Sequence, residues 1–419
     1  MTNLPEEFIL QTRQLMGEER FNRYLGAFEE EAPVSIRVNP RLVNHGDRLL
    51  DSDGKAENHE PVPMIHVPWC PEGYYLSERP QFTFDPLFHA GCYYVQEASS
   101  MFITHIIRSL ASRLSFIISP LSILDLCAAP GGKSTAAISV LPEGSTMASN
   151  EPIPNRAQIL LENITKWGYP NCTVTNNYPR DFRKAKAKFD IIICDVPCSG
   201  EGMFRKDPAT IGEWSMQNVE KCWRLQREIV ADAWECLNPG GILIYSTCTF
   251  NTKENEENVR YFMEEFDAEI LDIPTEPSWN ITGSLLEGFD APVYRFIPGI
   301  TRGEGLFICA LRKSGESNHS YPLSTLNSKL RVLTPDLPDG DFPTSDLSYP
   351  EALKYLRGEA IVLPPDTPKG IVTVTYQGFA LGPAKNIGNR ANNLYPKPWR
   401  IKTTHLPTEA PKVIEGLKN

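Results

Sequence analysis

Between residues 122 and 312 the sequence alternates short apolar runs with longer amphipathic segments, and this alternation strongly limits the possible folds. The run that ends at Asp195 is rich in isoleucine, which is typical of a strand buried on both faces. The longest segment with helical spacing covers residues 217–237, and the Asn-Pro-Gly-Gly sequence at 238–241 is predicted to end that helix. Strands that alternate with helices predict an α/β fold with a mostly parallel, doubly wound sheet.

The length of 419 residues exceeds that of one ordinary domain, so the alternating segment is expected to have neighbours. We predict an N-terminal α+β module at residues 1–115, with a loose stretch at 44–60, and the α/β core at 116–313. Residues 314–347 lose periodicity and are rich in serine, asparagine, proline and aspartate, which indicates a linker. A helix followed by a strand–turn–strand pattern predicts a small C-terminal unit at 348–419.

The composition excludes several classes of protein. The hydrophobic content of 41% is that of a globular chain, and the most apolar region, residues 101–126, is interrupted by charges and by Pro120. The sequence does not open with a secretory signal, so we expect a cytoplasmic protein without a membrane span. The ten cysteines form no C-x-x-C pair, which favours reduced thiols over disulfides or a metal site. The net charge of −11 disfavours a general nucleic-acid coat protein but allows a local basic surface.

The most informative stretch follows the strand that ends at Asp195. A rigid Val-Pro corner leads to Cys198, and Gly200 and Gly202 suit a loop that admits a flat substrate closely. Parallel strands of an open sheet present their carboxyl ends to the ligand crevice, so an acid and a thiol are predicted where ligands bind. The alternative is a buried strand followed by a turn with an incidental cysteine.

A second stretch, Leu-Asp-Leu-Cys-Ala-Ala-Pro-Gly-Gly-Lys-Ser at residues 124–134, places a glycine turn after a strand, where a backbone can approach a ligand closely. Cys127 stands where a Walker A loop needs its first glycine, and the dinucleotide pattern G-x-G-x-x-G is absent, so ATP and NAD are disfavoured. Glu151 ends the next predicted strand, where a carboxylate can accept hydrogen bonds from ribose hydroxyls; the alternative is a helix cap. With Asp195, these residues suit a nucleoside with little or no phosphate, such as S-adenosylmethionine.

The third stretch, Tyr-Ser-Thr-Cys-Thr at residues 245–249, puts Cys248 at the end of a further predicted strand. A free cysteine is a few per cent thiolate near neutral pH and is intrinsically very nucleophilic. A lone cysteine at a strand end is more often structural. Two cysteines, Cys198 and Cys248, at neighbouring strand ends beside Asp195 are much less easily explained as structural.

These three stretches, in this order, resemble those of the RNA 5-methylcytosine methyltransferases of the Sun/RsmF type. Residues 35–40 (Ser-Ile-Arg-Val-Asn-Pro) and 93–101 (Tyr-Tyr-Val-Gln-Glu-Ala-Ser-Ser-Met) resemble the N-terminal signatures of that family. Residues 303–313 resemble its last core strand, and residues 381–400 resemble the RsmF-type C-terminal unit. The resemblance implies a Rossmann-like S-adenosylmethionine methyltransferase core and a small PUA-like C-terminal domain that helps to position RNA.

The resemblance also implies a role for each residue of the predicted catalytic group. The cysteine that matches Cys248 attacks carbon 6 of cytosine, which makes carbon 5 a nucleophile for the methyl group of S-adenosylmethionine. The acid that matches Asp195 contacts the base near N3. The cysteine that matches Cys198 assists loss of the carbon-5 proton and release of the enzyme. The target base must be single-stranded or leave the stack to be reached.

The chain departs from the family pattern at two places. The family usually has an acid near the adenine, where this chain has Tyr178, and the nearest acid is Asp181. In the C-terminal unit, Asn392 and Leu394 stand where a basic residue and a polar ring are expected. The predicted cofactor-binding residues are Cys127, Ala128, Ala129, Pro130, Gly131, Gly132, Lys133, Glu151, Arg156, Tyr178 and Asp195.

The C-terminal unit itself favours RNA as a partner. From residue 369 onward, eight lysines and arginines stand against two glutamates, a net charge of +6, with Tyr395 and Trp399 among them. This combination suits phosphate contacts and base stacking, and the alternative is a solvated basic tail. We predict that Arg390, Lys397 and Arg400 contact RNA, and we expect a monomer that holds no metal.

Three functions remain open from the sequence. The first is cytosine-5 methylation of RNA, with 16S ribosomal RNA as the expected substrate, and the second is the same chemistry on transfer RNA. The third is a non-catalytic assembly factor for ribosomal RNA, which loss of Cys248 or of the glycine turn would have favoured. A DNA-type enzyme usually has its nucleophile in the Pro-Cys sequence, so the second cysteine, in Ser-Thr-Cys-Thr, favours RNA by resemblance.

Overall fold

The computed structural model describes residues 4–43, 64–113, 120–315, 329–403 and 405–414. The predicted loose stretch at residues 44–60 lies outside these ranges, as do residues 316–328 of the predicted linker.

The N-terminal unit combines helices with a small antiparallel sheet. Its helices are α1 (Glu6–Met16), α2 (Glu18–Gly26), α3 (Pro86–His89) and α4 (Phe102–Arg113), and its strands are β1 (Val34–Val38), β2 (Ile65–Val67), β3 (Cys70–Leu76) and β4 (Tyr93–Val95). The strand order is β2-β3-β1-β4. The first two helices are separate because Gly17, with a φ of 74°, interrupts the helical backbone between them.

The core alternates strands and helices as the sequence predicts. Its strands are β5 (Ser122–Asp125), β6 (Thr146–Asn150), β7 (Cys172–Thr175), β8 (Phe189–Asp195), β9 (Leu237–Thr247), β10 (Glu269–Leu271), β11 (Tyr294–Phe296) and β12 (Leu306–Arg312). Its helices are α5 (Gly132–Ile138), α6 (Pro154–Trp167), α7 (Pro179–Ala185), α8 (Met216–Cys236) and α9 (Glu256–Phe266). Strands β7, β6, β5, β8 and β9 are parallel neighbours in that order. Strand β12 lies between β9 and β10 and is antiparallel to both. The predicted α/β core is therefore confirmed, but its sheet is mixed, with five parallel strands at the centre and antiparallel strands at both edges.

The central strand β8 shows why the apolar runs form this sheet. Its residues from Phe189 to Cys194 are all buried. Ile191 and Ile193 belong to the apolar cluster on one face of the sheet, whereas Ile192 and Cys194 belong to the cluster on the other. Side chains alternate between the two faces of a strand, so a sheet covered on both faces requires an uninterrupted apolar run.

The Asn-Pro-Gly-Gly sequence at residues 238–241 follows the end of α8, as predicted, but it lies inside a strand. Strand β9 begins directly after α8, and these residues are its irregular first part. Gly240 has a φ of 72°, and a Cβ on Gly241 would lie 2.8 Å from the carbonyl oxygen of Asn238. Asn238 Nδ2 also donates to Asp190 Oδ1 on β8 at 2.8 Å. Glycine thus lets the strand shift its register against β8 at this point.

The C-terminal part adds one strand to the core and forms a small sheet of its own. Its elements are β13 (Val332–Leu333), β14 (Thr344–Asp346), α10 (Tyr349–Leu356), β15 (Gly370–Tyr376), β16 (Phe379–Asn386) and β17 (Ala391–Asn393). Strand β13 pairs with β7 at the edge of the core sheet, and β14 to β17 form the small sheet in chain order. Both β13 and β14 lie within the predicted linker, whose polar composition concealed them.

The C-terminal sheet and the N-terminal sheet share one apolar cluster. Ile36 and Tyr93 of the N-terminal unit pack in this cluster with Tyr355 and Val374 of the C-terminal unit. The hydroxyl of Tyr349 also donates to the backbone oxygen of Phe84 at 3.1 Å. The two units therefore form one continuous packed body.

Candidate active site

The carboxyl ends of β5, β6, β8 and β9 meet along one edge of the core sheet. Asp125, Glu151 and Asp195 end or directly follow the first three of these strands, and Cys248 follows the fourth. Parallel pairing places these ends side by side, so the structure brings Glu151, Asp195 and Cys248, which the sequence marks, together with Asp125, which it does not.

Two thiols face each other at this edge. The Sγ atoms of Cys198 and Cys248 are 3.2 Å apart. The backbone N–H of Gly202 donates to the carbonyl oxygen of Cys248 at 2.7 Å, which ties the loop after β8 to the loop after β9. A Cβ on Gly202 would lie 2.6 Å from that oxygen, so this approach requires glycine. The predicted juxtaposition of the two cysteines is present.

The Cys198 thiol is held in its protonated form. The hydrogen bond with Cys248, followed by burial, raises the pKa of Cys198 well above its usual value. A thiol with a raised pKa keeps its proton near neutral pH. Cys198 therefore lies against Cys248 as a protonated thiol.

Asp195 lies beside the thiols and is held at both oxygens. Lys133 Nζ lies 2.9 Å from Oδ2, and the hydroxyl of Ser246 donates to Oδ1 at 2.7 Å. Burial lowers the pKa of Lys133, but the neighbouring Asp195 carboxylate outweighs this and raises it overall. The Asp195 side chain is 34% exposed, so its remaining lone pairs face the crevice. The sequence motifs contained Ser246, but nothing in them indicated this contact.

The glycine turn lies after β5, as predicted, and connects it through residues 126–131 to α5. Gly131 precedes α5 with a φ of 111°, and the guanidinium of Arg156 donates to the carbonyl oxygen of Ala129 at 3.0 Å. Beneath the turn, Asp125 is fully buried, and burial raises its pKa to about 7. Its Oδ2 accepts from Ser134 at 2.6 Å, whereas Oδ1 is buried and has no hydrogen-bond partner within the described ranges. Sequence reasoning missed Asp125, although it ends a strand as Asp195 does.

Glu151 makes the contact of a helix cap, one of the two roles that the sequence left open. Its carboxylate is buried, and Oε1 accepts from the N–H of Ile153 at 2.9 Å, just before α6, as a helix cap would. Oε2 lies 3.6 Å from the Arg156 guanidinium and accepts no other hydrogen bond from the described part of the chain. One carboxylate oxygen therefore remains for a ligand.

Tyr178 lies at the end of β7 and is 56% exposed. Its backbone N–H donates to Oδ2 of Asp181 at 2.9 Å, so the nearest acid caps α7. Arg331, which precedes β13, donates through its backbone N–H to Oδ1 of Asn177 at 2.9 Å. The end of β7 is thus bordered by a segment that the sequence assigned to a linker.

A buried arginine connects the N-terminal unit to the glycine turn. Arg37 on β1 is 1% exposed, and its guanidinium donates to Gln96 Oε1 at 2.8 Å and to Thr135 Oγ1 at 2.6 Å. It also lies 4.5 Å from the centre of the Trp167 ring. Burial lowers the pKa of Arg37 to about 10, so it stays charged at neutral pH. Arg37 and Gln96 belong to the two N-terminal signatures, whose contact could not be read from their separate positions in the sequence.

Comparison with known proteins shows the family. A family described as 16S rRNA methyltransferase RsmB/F matches residues 120–312, the N-terminal domain of 16S rRNA methyltransferase RsmF matches residues 4–98, and the methyltransferase RsmF PUA domain matches residues 342–401. A ribosomal RNA small subunit methyltransferase F from Serratia proteamaculans is 30% identical over 85% of this chain and 70% of its own length. The chain belongs to the RsmB/F family of 16S rRNA methyltransferases.

Other RsmB/F relatives and solved structures agree with this placement. The methyltransferase F of Enterobacter sp. (strain 638) is 28% identical over 94% of this chain and 95% of its own length. That of Pectobacterium atrosepticum is 33% identical, and this chain covers 63% of its length. A methyltransferase homologue from Pyrococcus horikoshii has a TM-score of 0.58 at 26% identity, over 74% of this chain and 96% of its own. NSun6 from the same organism, solved with SFG, has a TM-score of 0.58 at 21% identity, over 74% and 99% of the two chains. The Rossmann-like methyltransferase fold is thereby confirmed.

In the PUA-type unit of this RsmB/F chain, the three residues predicted to contact RNA differ in their exposure. Arg390 and Lys397 are exposed, whereas Arg400 is half-buried and donates to the carbonyl oxygen of Tyr395 at 3.2 and 3.0 Å. Tyr395 is 2% exposed and packs in the apolar cluster, so the interpretation of its ring as a stacking platform was wrong. The small sheet buries this aromatic ring even though basic residues surround it in the sequence. Trp399 is half-buried against Tyr395.

Among the described residues, no helix has the length and apolar character needed to cross a membrane. Within the same ranges, no group of three or more His, Cys, Asp or Glu side chains is placed to hold a metal ion.

Proposed function

We propose that this chain methylates carbon 5 of a cytosine in 16S ribosomal RNA through a covalent bond to Cys248. The observation that carries the proposal is the pair of thiols 3.2 Å apart beside Asp195, at the edge of a methyltransferase sheet. A second thiol so close to a nucleophile is useful when a covalent bond must be formed and then broken. Mapping of 5-methylcytosine by bisulfite sequencing of ribosomal and transfer RNA, in cells with and without the gene, tests the proposal. Loss of a signal from transfer RNA alone would favour the second substrate, and no loss would favour an assembly factor.

The first step places the reacting base between Cys248 and Asp195. The Cys248 thiolate bonds to carbon 6, and the electron pair of the carbon 5–carbon 6 double bond makes carbon 5 nucleophilic. Asp195, which Lys133 and Ser246 orient, accepts a hydrogen bond near N3 and offsets the charge that develops on the ring. Carbon 5 then takes the methyl group while its original proton remains in place.

The second step removes that proton and releases the enzyme. Before the attack, the hydrogen bond with Cys248 keeps Cys198 protonated. Once Cys248 has become a thioether, this contribution is lost, so the pKa of Cys198 falls and its proton passes to solvent water, which leaves a thiolate. Cys198 then takes the carbon-5 proton, the double bond re-forms, and the bond between Cys248 and carbon 6 breaks. The product leaves with carbon 5 methylated and Cys248 free.

We further propose S-adenosylmethionine as the cofactor, which supplies an electrophilic methyl group when bound. The residues present fit this ligand. The glycine turn leaves backbone accessible at residues 127–133, Glu151 keeps one carboxylate oxygen for the ribose, and Asp125 has a buried oxygen without a partner among the described residues. Tyr178 is exposed at the end of β7, where its ring is available to the adenine. A ribosomal substrate also places the protein in the cytoplasm.

Glu151→Ala is expected to weaken binding of S-adenosylmethionine by roughly 1.5–3 kcal/mol, because it removes charge-assisted hydrogen bonds to the ribose. Isothermal titration calorimetry measures this change. Glu143→Ala, an exposed acid in the loop before β6, is the control and is expected to bind normally. An unchanged affinity in Glu151→Ala would leave this carboxylate as a helix cap alone.

Arg390→Gln and Lys397→Gln are each expected to weaken RNA binding and to lower the slope of log affinity against log salt by about 0.7–0.9, because each removes one phosphate contact and its released counterion. Fluorescence anisotropy over a salt series measures the slope. Lys354→Gln, which removes a charge paired with Glu351 on α10, is the matched control.

Arg400→Gln tests the remaining candidate. An effect on its melting temperature but not on its slope would assign Arg400 to packing around Tyr395. If no variant changes the slope, the C-terminal unit does not bind RNA phosphates through these residues.

A further inference from the structure

A buried carboxylate lies behind the loop that carries Cys198. Glu254 is 0% exposed, and its Oε2 accepts from the backbone N–H of Ser199 at 3.0 Å and from Gln226 Nε2 at 2.7 Å. Its Oε1 accepts from Asn251 Nδ2 at 2.8 Å. Burial raises the pKa of Glu254 to about 7, so a buried acid at this position costs stability at neutral pH. Because this buried carboxylate lowers stability and lies beside the loop of Cys198, its presence indicates a role in the reaction.

Gln226 on α8 also fixes the position of the loop that carries Cys198. Besides the Glu254 contact, its Nε2 donates to the carbonyl oxygen of Pro197 at 2.9 Å. Its Oε1 accepts from the hydroxyl of Tyr245 at 3.1 Å and from Asn258 Nδ2 at 2.8 Å. Both the NH2 group and the oxygen of the Gln226 amide are therefore hydrogen-bonded, which fixes the orientation of the side chain.

The two residues that flank Cys198 are thus held by one buried pair. Gln226 holds the residue before it and Glu254 holds the residue after it, whereas the Cys198 thiol itself contacts the Cys248 thiol. That contact ends when Cys248 bonds to the base. From then on, the position of Cys198 depends on the backbone contacts, which the reaction leaves unchanged.

We infer that Glu254 is a positioning residue that holds Cys198 against carbon 5 during release of the methylated product. This inference rests on the proposed function and adds the group on which the release step depends. Glu254 does not touch the reacting atoms. It acts through the N–H of Ser199, and through Gln226 on Pro197, so its loss affects the second half of the reaction and spares the first.

The test compares Glu254→Gln with the wild type in single-turnover and steady-state assays. A glutamine presents an NH2 group to one of three N–H donors, so at least one contact is lost. We expect kcat to fall on the order of 10- to 100-fold, since a misplacement of about 1 Å costs roughly 10²-fold, while KM stays within about twofold. A protein–RNA species stable to denaturing electrophoresis should accumulate. Glu254→Asp, which keeps the charge but shortens its reach, should accumulate less of this species. Glu264→Gln, an exposed acid on α9, should behave as wild type.

Cys198→Ala, assayed in parallel, separates this inference from the proposed function. An adduct in Cys198→Ala but not in either Glu254 variant would overturn the positioning role. Loss of activity in both Glu254 variants without an adduct, and with a lowered melting temperature, would show that Glu254 only stabilises the fold. Absence of an adduct from Cys198→Ala itself would overturn the proposed release step, and with it the role of Glu254.

Discussion

Cys198→Ala is expected to trap this protein on its RNA. The variant retains Cys248, Asp195 and the cofactor residues, so attack and methyl transfer proceed, but the group that takes the carbon-5 proton is gone. The covalent bond between Cys248 and carbon 6 then persists, because elimination requires loss of that proton. Denaturing gel electrophoresis with labelled RNA should show a shifted protein–RNA band, and turnover beyond the first cycle should be lost.

Further cysteine variants distinguish the role of Cys248 from that of Cys198. Cys248→Ala should give neither an adduct nor methylated RNA while still binding the cofactor, and the double variant should give no adduct. Cys222→Ala, a buried cysteine on α8, controls for general loss of a thiol. An adduct in Cys248→Ala rather than in Cys198→Ala would reverse the two roles and give the arrangement usual in DNA-type enzymes. Two equally destabilised proteins without an adduct would instead indicate that both cysteines are structural.

Arg295→Met is expected to lower the free energy of unfolding by about 3–5 kcal/mol, because it leaves the Glu256 carboxylate buried without its partner. Arg295 is 1% and Glu256 0% exposed. Arg295 Nε donates to Glu256 Oε1 at 2.7 Å, and Nη1 donates to the carbonyl oxygen of Phe250 at 2.7 Å. Phe250 closely follows Cys248 in the chain, so this ion pair also supports the loop that carries the nucleophile. Urea denaturation of the variant and the wild type measures the loss.

Two comparisons show whether the burial of the charge causes this loss. Arg312→Met breaks an ion pair with Glu269 that is 4.0 Å long and partly exposed, and it should cost less than about 1 kcal/mol. The double variant Arg295→Met/Glu256→Leu removes both buried charges and should recover part of the stability. A loss below about 1 kcal/mol in Arg295→Met would mean that the pair contributes no more than a surface contact.

Local patterns in the sequence were enough to predict the strands of the core sheet and the residues at the carboxyl ends of those strands. The apolar run before Asp195 could only be buried on both faces, and the motifs around Cys198 and Cys248 put each residue at a strand end. Parallel pairing then brought these ends together without further information. This is why Asp195, Cys198 and Cys248 could be predicted to lie side by side before any coordinates were known.

The contacts that support this site could not be predicted in the same way. Glu254 and Gln226 come from different helices or loops, and their pairing depends on three-dimensional packing that no spacing in the sequence expresses. Tyr395 shows a different kind of error, a predicted contact that the structure does not allow. Its position among basic residues suggested an exposed ring, but the small C-terminal sheet buries that ring. Strand β13 was missed for a related reason, since two residues of pairing are too few to produce a periodic pattern.

Strand β1 contacts both the C-terminal unit and the part of the core that carries the glycine turn. Ile36 and Val38 on one face of this strand pack into the cluster shared with the C-terminal unit, while Arg37 on the other face reaches the helix after the glycine turn. Strand β1 thus packs against the C-terminal unit on one face and contacts the helix that follows the glycine turn on the other. We expect that an RNA bound at the C-terminal unit, as proposed, is thereby held at a fixed distance from Cys248. A cytosine at the matching distance along the folded RNA would then be the one methylated, so distance as well as base identity selects the target.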